Sequence, residues 1–194
     1  MKNTPLLIFL GFVFILGIWS FSSYNKMVNL DVGVEQAWSQ VENQYQRRAD
    51  LIPNLVNTVK GYAAHEQETF TAVIEARSKA TSTTINAGQL DAASVQKFQQ
   101  AQDGLSSALS KLMVVVERYP DLKANQNFLQ LQAQLEGTEN RIAVERKRFN
   151  DITGEYNKAL RRIPTVLFAG MMGLEKKGFF EATQGSEVPP EVNF

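Results

Sequence analysis

The sequence predicts an all-α protein, with an N-terminal transmembrane helix followed by an antiparallel up-and-down four-helix bundle of long helices. Three observations lead there. A charge-free apolar run lies between Lys2 and Lys26. Beyond it, apolar residues recur at alternating steps of four and three, which is the spacing of one helical face. Long stretches rich in Ala, Gln, Leu, Lys and Glu favour helix, and no alternating strand pattern of comparable length competes with them. The expected units are an anchor over residues 1–25, the bundle over 26–163, and a tail over 164–194 that is first apolar and then flexible.

The anchor centres on "LLIFLGFVFILGIWSF", Leu6 to Phe21. A helix from Asn3 to Asn25 reaches roughly 34 Å at 1.5 Å per residue, enough to cross a bilayer core. Trp19 and Tyr24 stand at one end, where amphipathic rings favour the membrane interface. Ser20-Phe21-Ser22 is a poor small-x-small cleavage site, so a retained single-pass membrane anchor is preferred to a cleaved signal peptide. Lys2 and the amino terminus on one side, against Lys26 on the other, tilt the orientation slightly towards an exported soluble part.

The first bundle seam reads Val34, Trp38, Val41, Tyr45, Arg48, Ile52, Leu55, Val59 and Tyr62, in a helix expected from about Met27 to Ala64. A second helix carries Phe70, Val73, Ile74, Arg77 and Ala80, and stops in "TSTTINAGQ", where Ser, Thr, Asn and Gly build a turn. Asp91 is the expected N-cap of a third helix, whose seam runs from Val95 to Tyr119 and ends at Pro120. The fourth and longest run leads from Phe128 to Ile163, and Pro164 stops it. Short connections favour antiparallel neighbours. If each helix reverses, the apolar cluster from Leu167 to Phe180, including Phe168, Phe179 and Phe180, returns to the bilayer surface. There it could meet lipid, the bundle base or another subunit.

Composition narrows the function classes. Twenty basic and twenty acidic residues leave no net charge to attract nucleic acid, and the absence of cysteine removes disulfides, thiolate metal sites and a cysteine nucleophile. The single histidine, His65 in "HEQE", lacks the second histidine that a zinc-protease helix requires, and no nucleophile elbow or phosphate-binding loop occurs. No metal, cofactor or catalytic residue is expected.

Three positions stand out instead. Arg48 interrupts an apolar seam, so its head must stay wet along the flank of the bundle or find a carboxylate. Placing Val59 opposite Phe128 aligns Trp38 with Phe149 and sets Arg48 beside Thr138 and Glu139. One reading therefore pairs Arg48 with Glu139, with Arg47 or Asp50 facing outwards to another helix or subunit. Pro53 removes a helical hydrogen bond and predicts a bend between Ala49 and Pro53, with Asn54 and Asn57 as candidates to satisfy the freed carbonyls. Asp121 is a candidate cap for the fourth helix. That would place Lys123 and Asn125 near Lys60, Tyr62 and His65 at the membrane-distal tip, as a clasp or a docking surface.

Several stretches carry a family resemblance: "YNKMV" from Tyr24, "AWSQVENQYQRRADLIPNLVNTVKGYAAHE" from Ala37, Ala76-Arg77, "ERYPDLKANQNFLQLQAQLEGTENRIAVERKRFND" from Glu117, Tyr156-Asn157, and "FFEA" from Phe179. In this order and over nearly the whole chain, the sequence resembles the LemA family of bacterial membrane-anchored helical proteins. The resemblance implies an up-and-down four-helix bundle behind one N-terminal anchor, and it implies no enzymatic activity. The leading expectation is a non-enzymatic scaffold of the cell envelope that contacts membrane lipid and works by forming homo-oligomers or binding another envelope protein. The alternative is an adaptor or regulatory subunit of a membrane protease or signalling system. A hydrolase centred on His65 is the third and weakest class.

Overall fold

The computed structural model describes residues 4–181 of the chain, and the side chains of residues 8–181. Six α-helices follow one another: α1 (Thr4–Lys60), α2 (Gln67–Ser82), α3 (Ala92–Val116), α4 (Pro120–Lys123), α5 (Gln126–Leu160) and α6 (Thr165–Phe168). Among the described residues there is no strand. Helix α1 packs along α5, and α2 along α3. The polar end expected to be flexible, residues 182–194, lies outside the described residues.

Helix α1 differs from the expected two-part arrangement, because no break separates anchor from bundle. No proline lies between Pro5 and Pro53, so the backbone ladder continues from the apolar run into the seam. What changes along α1 is burial. Ile8, Phe9, Phe14 and Phe21 are all exposed, whereas Met27, Val34, Trp38 and Val41 are fully covered. Part of α1 is long and apolar enough to cross a membrane. The helix runs for 57 residues, or about 85 Å at 1.5 Å per residue.

The interior consists of two apolar clusters stacked along α1. The cluster farther from the apolar run gathers Ile52, Leu55 and Val59 of α1 with Phe70 and Val73 of α2, Leu105 and Leu112 of α3, and Phe128 and Leu135 of α5. The nearer one gathers Trp38 and Tyr45 with Phe98, Phe149 and Tyr156. Here α2 is absent, and the cover comes from Leu90 in the α2–α3 connection and from Phe180. Trp38 meets Phe98 and Phe149 edge-on at centroid distances of 5.0 and 5.5 Å, a geometry that adds roughly 0.5–1.5 kcal/mol per pair beyond area burial. The expected alignment of α1 with α5 is therefore present at Trp38 and Phe149.

The helix ends follow local chemistry, with one correction. Asp91 caps α3, its carboxylate accepting from Ser94 N at 2.9 Å and from Ser94 Oγ at 2.8 Å. These bonds hold the Asp91 carboxyl below the usual carboxylate range. Helix α5 is capped not by Asp121 but by Asn125, whose Oδ1 accepts from Phe128 N at 3.1 Å. Pro120 starts one extra helical turn, α4, which places Asp121 inside that turn. The extended backbone a cap requires falls at Asn125, with φ −69° and ψ 126°.

At Pro53 the helix continues without interruption. The carbonyl that Pro53 cannot reach, four residues back at Ala49, accepts a hydrogen bond from Arg77 Nε at 2.8 Å. Its partner is thus a side chain of α2, and not Asn54 or Asn57, both of which are exposed. This bond docks α2 on α1, and it makes Arg77→Ala costly by about 1–2 kcal/mol in chemical denaturation. In a Pro53→Ala background Ala49 regains its helical donor, so the cost of Arg77→Ala should fall by about 1 kcal/mol. Equal costs in the two backgrounds would show that Arg77 serves some other role.

Candidate functional site

Arg48 lies between the two apolar clusters and is 1% exposed. Four groups surround its guanidinium. Nη1 donates to Glu139 Oε1 at 2.7 Å and to Ser106 Oγ at 2.8 Å. Nη2 donates to Gln102 Oε1 at 2.8 Å and to the Gln102 carbonyl at 3.2 Å. Gln102 passes the connection on, its Nε2 donating to the Ala80 carbonyl at 3.2 Å. One buried layer therefore ties α1, α2, α3 and α5 together. Arg48 also lies 5.1 Å from the Tyr45 ring centroid. Burial pushes the Tyr45 phenol up, against the pull of Arg146 and Arg48.

Coulomb attraction alone does not account for the layer. Glu139 is 46% exposed, so water weakens its attraction to Arg48. The fixed dipoles of Gln102 and Ser106 do what water would otherwise do for the buried side of the guanidinium. Arg48 Nε remains buried without a partner, a residual cost that a purely apolar layer would not carry. Single polar positions in helical seams select one alignment of the helices at such a cost. Chemically the layer can bind and orient, and the Ser106 hydroxyl donates to the Gln102 carbonyl at 3.2 Å.

The other singled-out residues scatter. Arg47 and Asp50 face outwards on α1, with Gln46 Nε2 donating to Asp50 Oδ1 at 2.8 Å. Pro53 and Asp121 are exposed. At the far tip Asn125 Nδ2 donates to Tyr62 Oη at 2.9 Å, and Glu66 takes Arg118 at 3.0 Å and the Tyr119 hydroxyl at 3.3 Å. His65 is exposed, and the described residues hold no cluster of metal-ligating side chains.

The three phenylalanines of the tail have different fates. Phe168 is half-buried in α6, Phe179 is 39% exposed, and Phe180 is 5% exposed. The apolar cluster does not stay together at the bilayer end as expected. The chain turns at Gly173, where φ is +65°, a conformation glycine adopts without penalty. It then runs back along the bundle in extended form, so that Phe180 stacks on Trp38 at 5.8 Å.

Residues that the periodicity did not flag hold this strap. Asn157 bonds both backbone groups of Lys177, each at 2.9 Å. Asn150 does the same for Phe180, again at 2.9 Å. Gln99 bonds Glu181 at 3.0 and 3.1 Å. Lys177 Nζ reaches Asp31 at 3.0 Å and lies 5.6 Å from the Tyr156 ring. The available signal was a pair of asparagines, seven residues apart, on the flank of the fourth seam.

The Arg48 layer predicts an asymmetry in chemical denaturation of the detergent-solubilised chain. Glu139→Gln should cost about 1 kcal/mol or less, since that partner is half-wet. Gln102→Leu should cost about 2–3 kcal/mol, because it strands buried donors. The reverse order would refute this account of the layer. A second expectation concerns pH. Burial, with help from Asp31 and Glu175, pushes the Tyr156 phenol up to about 12. The neutral phenol is therefore favoured by folding. Its contribution is fully present below pH 10 and is lost as pH rises from 10 through about 12. Tyr156→Phe should flatten the alkaline loss of stability, and an unchanged profile would contradict the assignment.

Magnetosome protein MamQ of Magnetospirillum gryphiswaldense is 26% identical over 184 residues, covering 86% of this chain and 67% of that protein. Magnetosome protein MamQ 2 of Paramagnetospirillum magneticum is 25% identical over the same shares. Protein LemA of Metamycoplasma hominis is 24% identical over 187 residues, covering 95% of this chain and 82% of that protein. These relatives, with the apolar span of α1, support a membrane location. The sequence model of the LemA family matches residues 37–194, from the lower seam of α1 through the strap and beyond, and the chain belongs to that family.

Proposed function

We propose that this chain is a non-enzymatic, single-pass helical scaffold of the cell envelope that acts by self-assembly. The observation that carries the proposal is α1, one unbroken helix of 57 residues shared by the apolar span and the bundle. Such a helix fixes the height and tilt of the bundle above a bilayer, which suits a protein that presents a surface and makes a poor flexible tether. In this reading neighbouring copies stand parallel and in step. The magnetosome names of several relatives agree with work at a membrane-associated structure.

One observation favours the adaptor reading. Between α3 and α5 lies a groove of about 510 Å³ floored by Leu109, Met113 and Leu135, with Ser106, Gln132 and Glu139 along its rim. A segment of another envelope protein could rest there, at the outer edge of the Arg48 layer.

Light scattering of the full-length chain in mild detergent separates the two. The scaffold reading expects a particle whose protein mass is two or more times 21.7 kDa. A particle of one chain at every concentration, with no partner on crosslinking, would overturn the scaffold. A single foreign protein captured by crosslinking from the groove rim would favour the adaptor.

A further inference from the structure

The groove that holds the strap reads a peptide backbone. Gln99, Asn150 and Asn157 each donate to one carbonyl and accept from one N–H of the same strap residue, and Gly178 N donates to the Leu90 carbonyl at 2.7 Å. Side-chain pockets add selectivity. Lys177 is taken by Asp31 and Tyr156. Phe180 fits among Trp38, Phe98 and Phe149, with Arg146 lying 4.7 Å from its ring centroid. Between them only glycine fits at 178, where a Cβ would come within 2.7–2.9 Å of the Asp91 and Ala92 backbone. Phe179 points partly to solvent and is not selected. The site is thus selective for an extended Lys-Gly-x-Phe segment, a recognition mode in which main-chain bonds give affinity and spaced pockets give specificity.

We infer that this groove is the self-assembly site, and that its second occupant is the strap of a neighbouring copy, exchanged between chains. Three features point to a copy of this chain. The matching peptide is the chain's own residues 174–181. The connector from α5 to the strap, residues 161–173, is 13 residues long, enough to span about 36 Å with α6 kept helical and the rest extended. Three of its apolar residues, Ile163, Leu167 and Met171, stand at 68%, 67% and 88% exposure. Bridging two copies would give this apolar surface a partner. None of the strap's bonds requires that the peptide come from the same chain, and swapping an identical segment replaces every contact with its equal. Copies anchored in one bilayer hold their grooves at one height, which raises the local concentration of neighbouring straps. The inference rests on the self-assembly reading and names its contact.

The chain contains no cysteine, so introduced thiols report alone. Gly154 on α5 faces Phe179 of the strap, a Cβ at 154 lying 4.0 Å from that ring, with no core residue disturbed. Two differently tagged full-length chains, one Gly154→Cys and the other Phe179→Cys, are co-expressed and treated in membranes with a short bismaleimide. Exchange predicts a covalent heterodimer, lost in excess free peptide Leu174–Glu181 and retained in the same peptide with Phe180→Ala. The same wild-type peptide should reduce the detergent particle to the mass of one chain. An oligomeric particle in which crosslinks form only when one chain carries both cysteines overturns strap exchange and leaves self-assembly standing. A one-chain particle under all conditions overturns both.

Discussion

A guanidinium cannot rest in an apolar core without partners, and Arg48 supplies the constraint on which this fold turns. An apolar seam is tolerant. Leu, Ile and Val can slide by one helical turn and still meet Leu, Ile and Val. Arg48 cannot slide, because a shift of one turn would take its donors away from Ser106 and Glu139 and leave buried charge unpaired. The layer thereby sets which residues of α1 face which residues of α5, and through Gln102 and Ala80 it fixes α2 and α3 as well.

The consequences run towards the membrane. With α1 and α5 aligned, Trp38 meets Phe149, and the aromatic cluster below the layer is left open on the side where α2 does not reach. The C-terminal strap closes it. Asn150 and Asn157 sit on the outer flank of the same α5 seam, so the alignment that satisfies Arg48 also positions the amides that hold Lys177 and Phe180. The polar layer, the aromatic core and the strap are successive effects of one alignment. The unbroken α1 then continues from that arrangement into the apolar span.

Much of this was legible because helical periodicity carries long-range information. The apolar run, the four seams, the Asp91 cap and the approach of Arg48 to Glu139 all follow from spacing and residue type. Other features were not legible, each for a physical reason. The partner of the carbonyl freed by Pro53 is Arg77, 28 residues away, whereas local rules offered only Asn54 and Asn57. Asp121 and Asn125 are both good caps, and the choice turned on one extra helical turn begun by Pro120. The strap is extended, has no period, and is recognised through its backbone, so its own sequence hardly announces it. Its signature lay in the receiving side chains, Gln99, Asn150 and Asn157, which a search for apolar seams passes over.

The Arg48 layer selects a single alignment of α1 with α5. The direct measurement is a spin-label distance distribution between Asp50→Cys on α1 and Glu136→Cys on α5, both exposed, with labelled chains diluted among unlabelled ones. With Arg48 present one narrow distance is expected. With Arg48→Leu a broadened or multiple distribution is expected as the seam gains freedom to slip. The same single narrow distance in the Arg48→Leu chain would show that the apolar seams set the alignment without Arg48.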